Sequence, residues 1–194
     1  MGRRYIVGIT GASGSIYGVR LIEELIKRNN EVYLVITDNG KRVLEYELEI
    51  NFKEWLQNIV KNSGILKVCD INDMFSSIAS GSFKTDGMVI VPCSMGTLSK
   101  ISSGIADTLL TRAADVMIKE KRKLILIPRE TPLSSIHLQN MLFLSNLNVM
   151  IIPPMPAFYE RPKTIEDIVN FTIGRILSSL NVDNDLYHPW GDEK

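Results

Sequence analysis

The sequence predicts an α/β fold in which helices cover both faces of a parallel sheet. Two observations predict it. Short apolar runs alternate with amphipathic stretches along the chain, and the run at 87–92 is continuously apolar, as in a strand buried on both faces. Residues 5–10 read as the first buried strand. Residues 16–29 read as a helix whose apolar face is Val19, Leu21, Ile22, Leu25 and Ile26. A Val- and Ile-rich strand follows at 31–37, then helices at 42–48 and 52–61 and a short strand at 65–68. Beyond the strand at 87–92 come helices at 97–103 and 108–120, then a strand at 123–127 stopped by Pro128. Ser134 caps a helix that runs to residue 147, and 149–152 is the last strand. Pro153, Pro154, Pro156 and Pro162 stiffen the next loop. The closing helix runs over 164–180, with Thr164 as N-cap and Glu166 and Asp167 at the positive end of its dipole.

The chain has 194 residues, 45% of them hydrophobic and 23% charged, which suits one domain with a sizeable core. Its formal net charge is zero, so no global field argues for nucleic acid or a membrane surface. A local anion pocket remains open. Two cysteines, Cys69 and Cys93, fit a reducing cytosol and offer no disulfide framework. His137 and His188 lie far apart, and no His/Cys cluster has zinc-site spacing, so no metal centre is expected. The apolar stretch at 5–9 is too short for a signal-peptide core, Ile6 stands where a myristoylation signal wants Ser or Thr, and no run approaches the roughly 20 residues of a membrane span. A cytoplasmic protein is expected.

Four segments carry candidate chemistry. Gly8-Ile9-Thr10-Gly11-Ala12-Ser13-Gly14-Ser15 follows the first strand and opens a helix, so its backbone N–H groups face an anion such as a phosphate. The alternative is a tight strand–helix turn with no ligand. Pro92-Cys93-Ser94-Met95-Gly96-Thr97 stands at another strand end, where a parallel sheet places its ligand crevice. Ser94 reads either as a ligand contact or as a simple N-cap, and Cys93 as a small buried residue rather than a nucleophile. Pro128-Arg129-Glu130-Thr131-Pro132 sets a charged pair at a third strand end. Arg129 there can grip a phosphate or a flavin carbonyl and Glu130 can move a proton, or the two can form a structural ion pair. The stiff loop offers Phe158 to wall an apolar pocket and Tyr159 to donate to a phosphate. Tyr159 and Lys163 also match a Y-x-x-x-K pair, but Pro162 between them breaks the helix face that pair needs.

These segments, with Tyr17-Gly18, Arg112-Ala113-Ala114-Asp115, Lys119-Glu120, Ile136-His137-Leu138 and Asn140-Met141, resemble the UbiX-type flavin prenyltransferases from residue 5 to residue 190. The resemblance implies a flavodoxin-like or Rossmann-like three-layer α/β/α sandwich, assembled as a dodecamer with sites between subunits. Residues 1–180 would be one flavin-binding domain, and 181–194 a tail docked near the site or on a neighbouring subunit. The activity implied is transfer of the prenyl group of dimethylallyl phosphate to N5 and C6 of reduced FMN, for use by a UbiD-type decarboxylase. FMN would be held by Gly11, Ala12, Ser13, Thr37, Ser94, Met95, Gly96, Thr97 and Arg129. The prenyl phosphate would be held by Lys119, Arg129, Tyr159 and Arg175, with Trp190 near the site. Glu47 and Glu130 match the catalytic acids, and Ser13 the proton relay. By their sequence surroundings alone, Lys119 and Arg175 would pass for solvated helix residues, Glu47 for a surface acid, His137 for a structural histidine and Arg112–Asp115 for a helix ion pair. Gln139 stands where the family pattern has Glu.

Rival functions stay open at this point. A flavin-dependent cysteine decarboxylase can share the fold but needs a histidine on the flavin face. An NADP-dependent reductase would need a residue after the second strand to read the ribose, for which Asp38 is a poor candidate. A non-catalytic flavin carrier for a decarboxylase system would bind FMN and leave it unmodified.

Overall fold

The computed structural model describes residues 2–63, 65–187 and 191. The sheet runs β1 (Arg4–Ile9), β2 (Glu31–Ile36), β3 (Leu66–Cys69), β4 (Gly87–Cys93), β5 (Leu124–Pro128) and β6 (Met150–Ile151). Their spatial order is β3-β2-β1-β4-β5-β6, every pair parallel. This is the doubly wound order of Rossmann folds. Without the short edge strand β3, the remaining strands have flavodoxin order. Both descriptions implied by the resemblance therefore hold.

Side chains alternate across the sheet with the period of two that a strand imposes. Val7, Ile9, Leu34, Val89, Ile125 and Ile127 pack on one face, against α1 (Ser15–Lys27), α2 (Asp38–Leu48), α3 (Phe52–Ser63) and α7 (Ile165–Ser179). Ile6, Val35, Ile90, Leu124 and Leu126 pack on the other, against α4 (Met95–Ser102), α5 (Leu109–Lys119) and α6 (Ser135–Asn146). Two covered faces explain why the strands show no polar alternation in sequence.

Helix starts differ from the sequence prediction where a cap extends the helix. Thr37 accepts from the amide of Gly40, so α2 begins at Asp38 rather than 42. Ser94 accepts from Thr97, so α4 begins at Met95 rather than 97. Ser134 and Thr164 cap α6 and α7 as expected. Pro128 does not stop β5 but ends it, paired with Cys93 beyond a shift in register. A proline is tolerated at such an irregularity in the ladder. The segment between β3 and β4, left unassigned by the sequence, carries a short 3-10 turn at Ser77–Ala79.

The cleft depends on α1 lying close over β4. A Cβ on Gly18 would stand 2.6 Å from the carbonyl oxygen of Val91 and 2.9 Å from Ile9 Cδ1. Gly18→Ala is therefore expected to destabilise the protein. Overpacking costs about 1–3 kcal/mol, while alanine's helix propensity returns at most about 1 kcal/mol. The steric cost wins because the crowded atom is backbone and cannot rotate away. Thermal denaturation checks this: an unchanged or raised Tm would mean that α1 stands off the sheet.

Candidate functional site

The sheet changes winding direction between β1 and β4. The chain leaves β1 for one face and β4 for the other, so the two turns diverge and open a groove at the carboxyl ends of the strands. Thr10 ties the turns together. It is buried, its amide and hydroxyl both donate to the carbonyl of Pro92 (3.2 and 2.8 Å), and its oxygen accepts from the amide of Ser94 (2.8 Å). Gly14, at φ 103°, takes the left-handed turn into α1 that a side chain would resist.

The anion at the start of α1 is supplied by the chain itself. Gly14 donates to both carboxylate oxygens of Glu47 (3.1 and 3.0 Å), and Ser15 donates to one (2.8 Å). The sequence leaves this turn either to an anion such as a phosphate or to no ligand; in the structure the amides of Gly14 and Ser15 are taken by a carboxylate of the chain itself. Burial pushes the Glu47 carboxyl up, but the Ser13 hydroxyl and the amides of Ser15 and Gly14 outweigh it and hold the group below its ordinary value. Glu47 thus favours its carboxylate form and is held by the turn at the start of α1, not a free surface acid.

The groove has two ends. One recess, of about 300 Å³, is rich in hydroxyls and amides: Thr10, Thr37, Asn39, Ser94, Thr97, Thr108 and Thr111 line it beside Gly11, Gly96 and Lys100, with Ile71 and Leu110 as apolar wall. Thr37, Ser94 and Thr108 are the N-caps of α2, α4 and α5, so three positive helix ends meet there. Ser94 and Thr37 are both caps and lining residues. The other recess, of about 310 Å³, is lined by Gly11, Ala12, Ser13, Ser94, Met95, Arg129, Glu130 and Thr131. Gly11 and Ser94 belong to both recesses, which makes one continuous groove.

Arg129 and Glu130 form no ion pair with each other among the described residues. Arg129 donates from Nε to the carbonyl of Ser13 (3.2 Å), and Glu130 accepts from the amide of Thr131 (3.0 Å). Cys93 is buried and its thiol is pushed up to about 12 by that burial, so it is inert. His137 accepts at Nδ1 from the amide of Ser134, a capping contact in α6. Tyr17 is half-buried and packs against the core on the α1 side of the sheet. Burial raises its phenol, against the opposing pull of Arg129 and a hydrogen bond with Thr172. Arg112 and Asp115 form the expected helix ion pair at 2.7 Å.

Other residues singled out in the sequence lie elsewhere in the chain. Tyr159 meets Phe171 edge to face (centroids 6.0 Å apart), Phe171 meets Tyr187 (5.6 Å), and Arg175 stacks over Tyr187 (5.8 Å), an aromatic ladder on the outer side of α7. Asn184 donates to the carbonyl of Gly174 and to Ser178 Oγ, so residues 181–187 fold back on α7 of their own chain. Trp190 lies outside the described residues. Lys119 ends α5 immediately before β5, at the opposite edge of the sheet from the groove, and pairs with Glu120 at 3.7 Å. The length of β5, about 17 Å at the rise of a strand, separates the two within one chain.

The site residues missed in sequence are Asn39, Lys100, Thr108 and Thr111. Only Thr108 and Thr111 left a signal, an N-cap with a hydroxyl three residues on. Among the described residues no helix is long and apolar enough to cross a membrane.

A profile of the family described as Flavoprotein matches residues 1–177. Flavin prenyltransferase UbiX of Halalkalibacterium halodurans is 47% identical, over 98% of this chain and 94% of that protein. The protein of the same name from Methanocaldococcus jannaschii is 47% identical over 97% and 98%. Among solved structures, AnUbiX (PadA1) in complex with FMN and dimethylallyl pyrophosphate superposes with a TM-score of 0.92 at 40% identity, each chain fully covered. The dodecameric FMN-dependent Ubix-like decarboxylase from Escherichia coli O157:H7 superposes at 0.89 with 42% identity, over 96% and 98%. The peptidyl-cysteine decarboxylase EpiD, at 20% identity and 0.60, shares the fold alone.

Proposed function

The chain belongs to the flavoprotein family and, within it, to the UbiX-type flavin prenyltransferases, and on that premise we propose how its residues join a dimethylallyl group to FMN. The observation that carries the assignment is the single groove at the switch point, with a cradle of hydroxyls and helix ends at one side and Arg129 with Glu130 at the other. The donor set fits FMN. The hydroxyl recess suits a phosphate, and Gly11, Ala12, Ser13 and Met95 offer backbone and small side chains to a flat ring. The reduced flavin supplies the N5 and C6 positions to which the prenyl carbons become attached.

Each protein group then has a physical task. Arg129 takes up charge on the phosphate as the allylic C–O bond breaks. Ser13, in the turn held by the Glu47 carboxylate, would pass on a proton released at N5, while Glu130 lines the same recess as a second acid or base. Lys119 serves the groove of a neighbouring copy, since its own lies at the far edge of the sheet. Tyr159 and Arg175, both exposed, serve a prenyl phosphate held between copies. Helix α6 supports such an assembly. Leu144 is its one fully buried residue, while Ile136 and Leu142 are each 63% exposed and Leu138, Phe143 and the adjoining Leu147 also face outward. The assembly is a homo-oligomer of the dodecameric kind, working in the cytoplasm, and the prenylated flavin passes to a UbiD-type decarboxylase.

Anaerobic incubation of the protein with reduced FMN and dimethylallyl phosphate, or with the diphosphate, is expected to release a flavin heavier by one prenyl unit. Mass spectrometry reads it. Unmodified FMN recovered from folded, flavin-loaded protein would overturn the transferase assignment in favour of a carrier.

A further inference from the structure

We infer that the Lys100–Asp107 pair reads the phosphate of the flavin and so makes the site select FMN over riboflavin. The inference rests on the flavin site proposed above and deepens it. Among the described residues, Lys100 is the one charged residue lining the hydroxyl recess. Thr37, Ser94 and Thr108 each spend a side-chain oxygen on an amide of their own helix, namely Gly40, Thr97 and Thr111. Apart from Lys100, the recess therefore offers a dianion only neutral donors, its hydroxyls and the Asn39 amide, and the fractional charge of helix ends. A phosphate monoester carries about −1.5 to −2 at neutral pH, so fractional charges leave it under-neutralised and one ammonium makes the difference.

Asp107 sets where that ammonium stands. Its Oδ2 accepts from Lys100 Nζ at 2.6 Å, and its Oδ1 accepts from Thr111 Oγ1 at 3.3 Å, which anchors the carboxylate at the start of α5. Both side chains are about half exposed (46% and 48%), so the pair sits at the rim, free to turn toward an arriving anion. Asp107 and the phosphate compete for one cation. Removing the cation and removing its competitor must therefore act in opposite directions, which a plain structural brace would not do.

The test titrates FMN and riboflavin into wild type, Lys100→Met and Asp107→Asn, following flavin fluorescence at low and high salt. Lys100→Met is expected to raise the Kd for FMN about tenfold, to leave riboflavin within about twofold, and to flatten the salt dependence of FMN binding. Asp107→Asn is expected to tighten FMN binding. Equal weakening of both flavins by Lys100→Met, no weakening of either, or a loss of FMN binding in Asp107→Asn matching that in Lys100→Met, would each overturn the inference while the flavin site stands. A wild type that binds FMN no better than riboflavin also overturns it. A folded wild type that binds neither flavin removes the flavin site and the inference together.

Discussion

Arg129→Met is expected to slow prenyl transfer at saturating flavin by about a hundred- to a thousandfold, the loss seen when one preorganised donor to a developing negative charge is removed. Its position makes the effect large. Arg129 follows the last residue of β5, and its amide donates to the carbonyl of Cys93 at 3.2 Å, so its backbone is fixed to the end of β4. Its Nε holds the Ser13 carbonyl. The terminal nitrogens make no hydrogen bond among the described residues, which leaves the fork of the guanidinium to a phosphate. Losing one exposed contact to a carbonyl should change stability by no more than about 1 kcal/mol. Arg129→Lys keeps the charge without the fork and should recover only part of the rate. Single-turnover kinetics with FMN affinity measured separately checks this. If Arg129→Met weakens FMN binding yet transfers the prenyl group at the wild-type rate once saturated, Arg129 only holds the turn containing Ser13.

Much of this site was legible because its parts stand at strand ends. A buried strand writes a continuous apolar run, so Gly11, Ser94 and Arg129 announce themselves as the residues just past such runs, and a parallel sheet must bring those ends together. What the sequence hid depends on partners distant along the chain. Glu47 sits among Glu45, Tyr46, Leu48 and Glu49 with nothing to set it apart, and only the packing of α2 beside α1 carries it to the amides of Gly14 and Ser15. The sequence leaves Asp38-Asn39-Gly40 unassigned, but the Thr37 cap makes it the first turn of α2 and so places Asn39 in the groove. Lys100 looks like any basic helix residue, and its meaning comes from the recess it lines. The family pattern singles out Lys119 as a substrate contact, yet topology puts it at the end of β5 away from the groove of its own chain. The assembly proposed above would reconcile the two, and α6 carries exposed apolar side chains that such an assembly would cover.

Glu47→Gln carries the other large effect, on stability and on chemistry. The carboxylate accepts three hydrogen bonds from two amides at the positive end of α1. A carboxamide of the same shape must turn an NH2 donor toward amides that also donate. Hydrogen bonds to a charged group contribute about 1.5–3 kcal/mol each, and the helix end adds up to about 1 kcal/mol. Because the substitution keeps part of the bonding, a loss of about 1–3 kcal/mol is expected in urea denaturation at neutral pH. The pH dependence fixes the cause. Glu47 titrates below its ordinary value of 4.5 in the folded chain, so the unfolded chain takes up its proton first as pH falls. The wild-type advantage is full above 4.5 and is lost as pH falls through the lowered folded value, whereas glutamine does not titrate. The gap between wild type and Glu47→Gln should therefore be constant at neutral pH and narrow below 4.5. A gap that persists unchanged in acid would assign the loss to packing rather than charge. On the chemical side, the substitution removes the anion that orients Ser13, so transfer should slow while FMN affinity changes by less than the rate. Were both to fall by the same factor, Glu47 would act only by shaping the turn that seats the flavin.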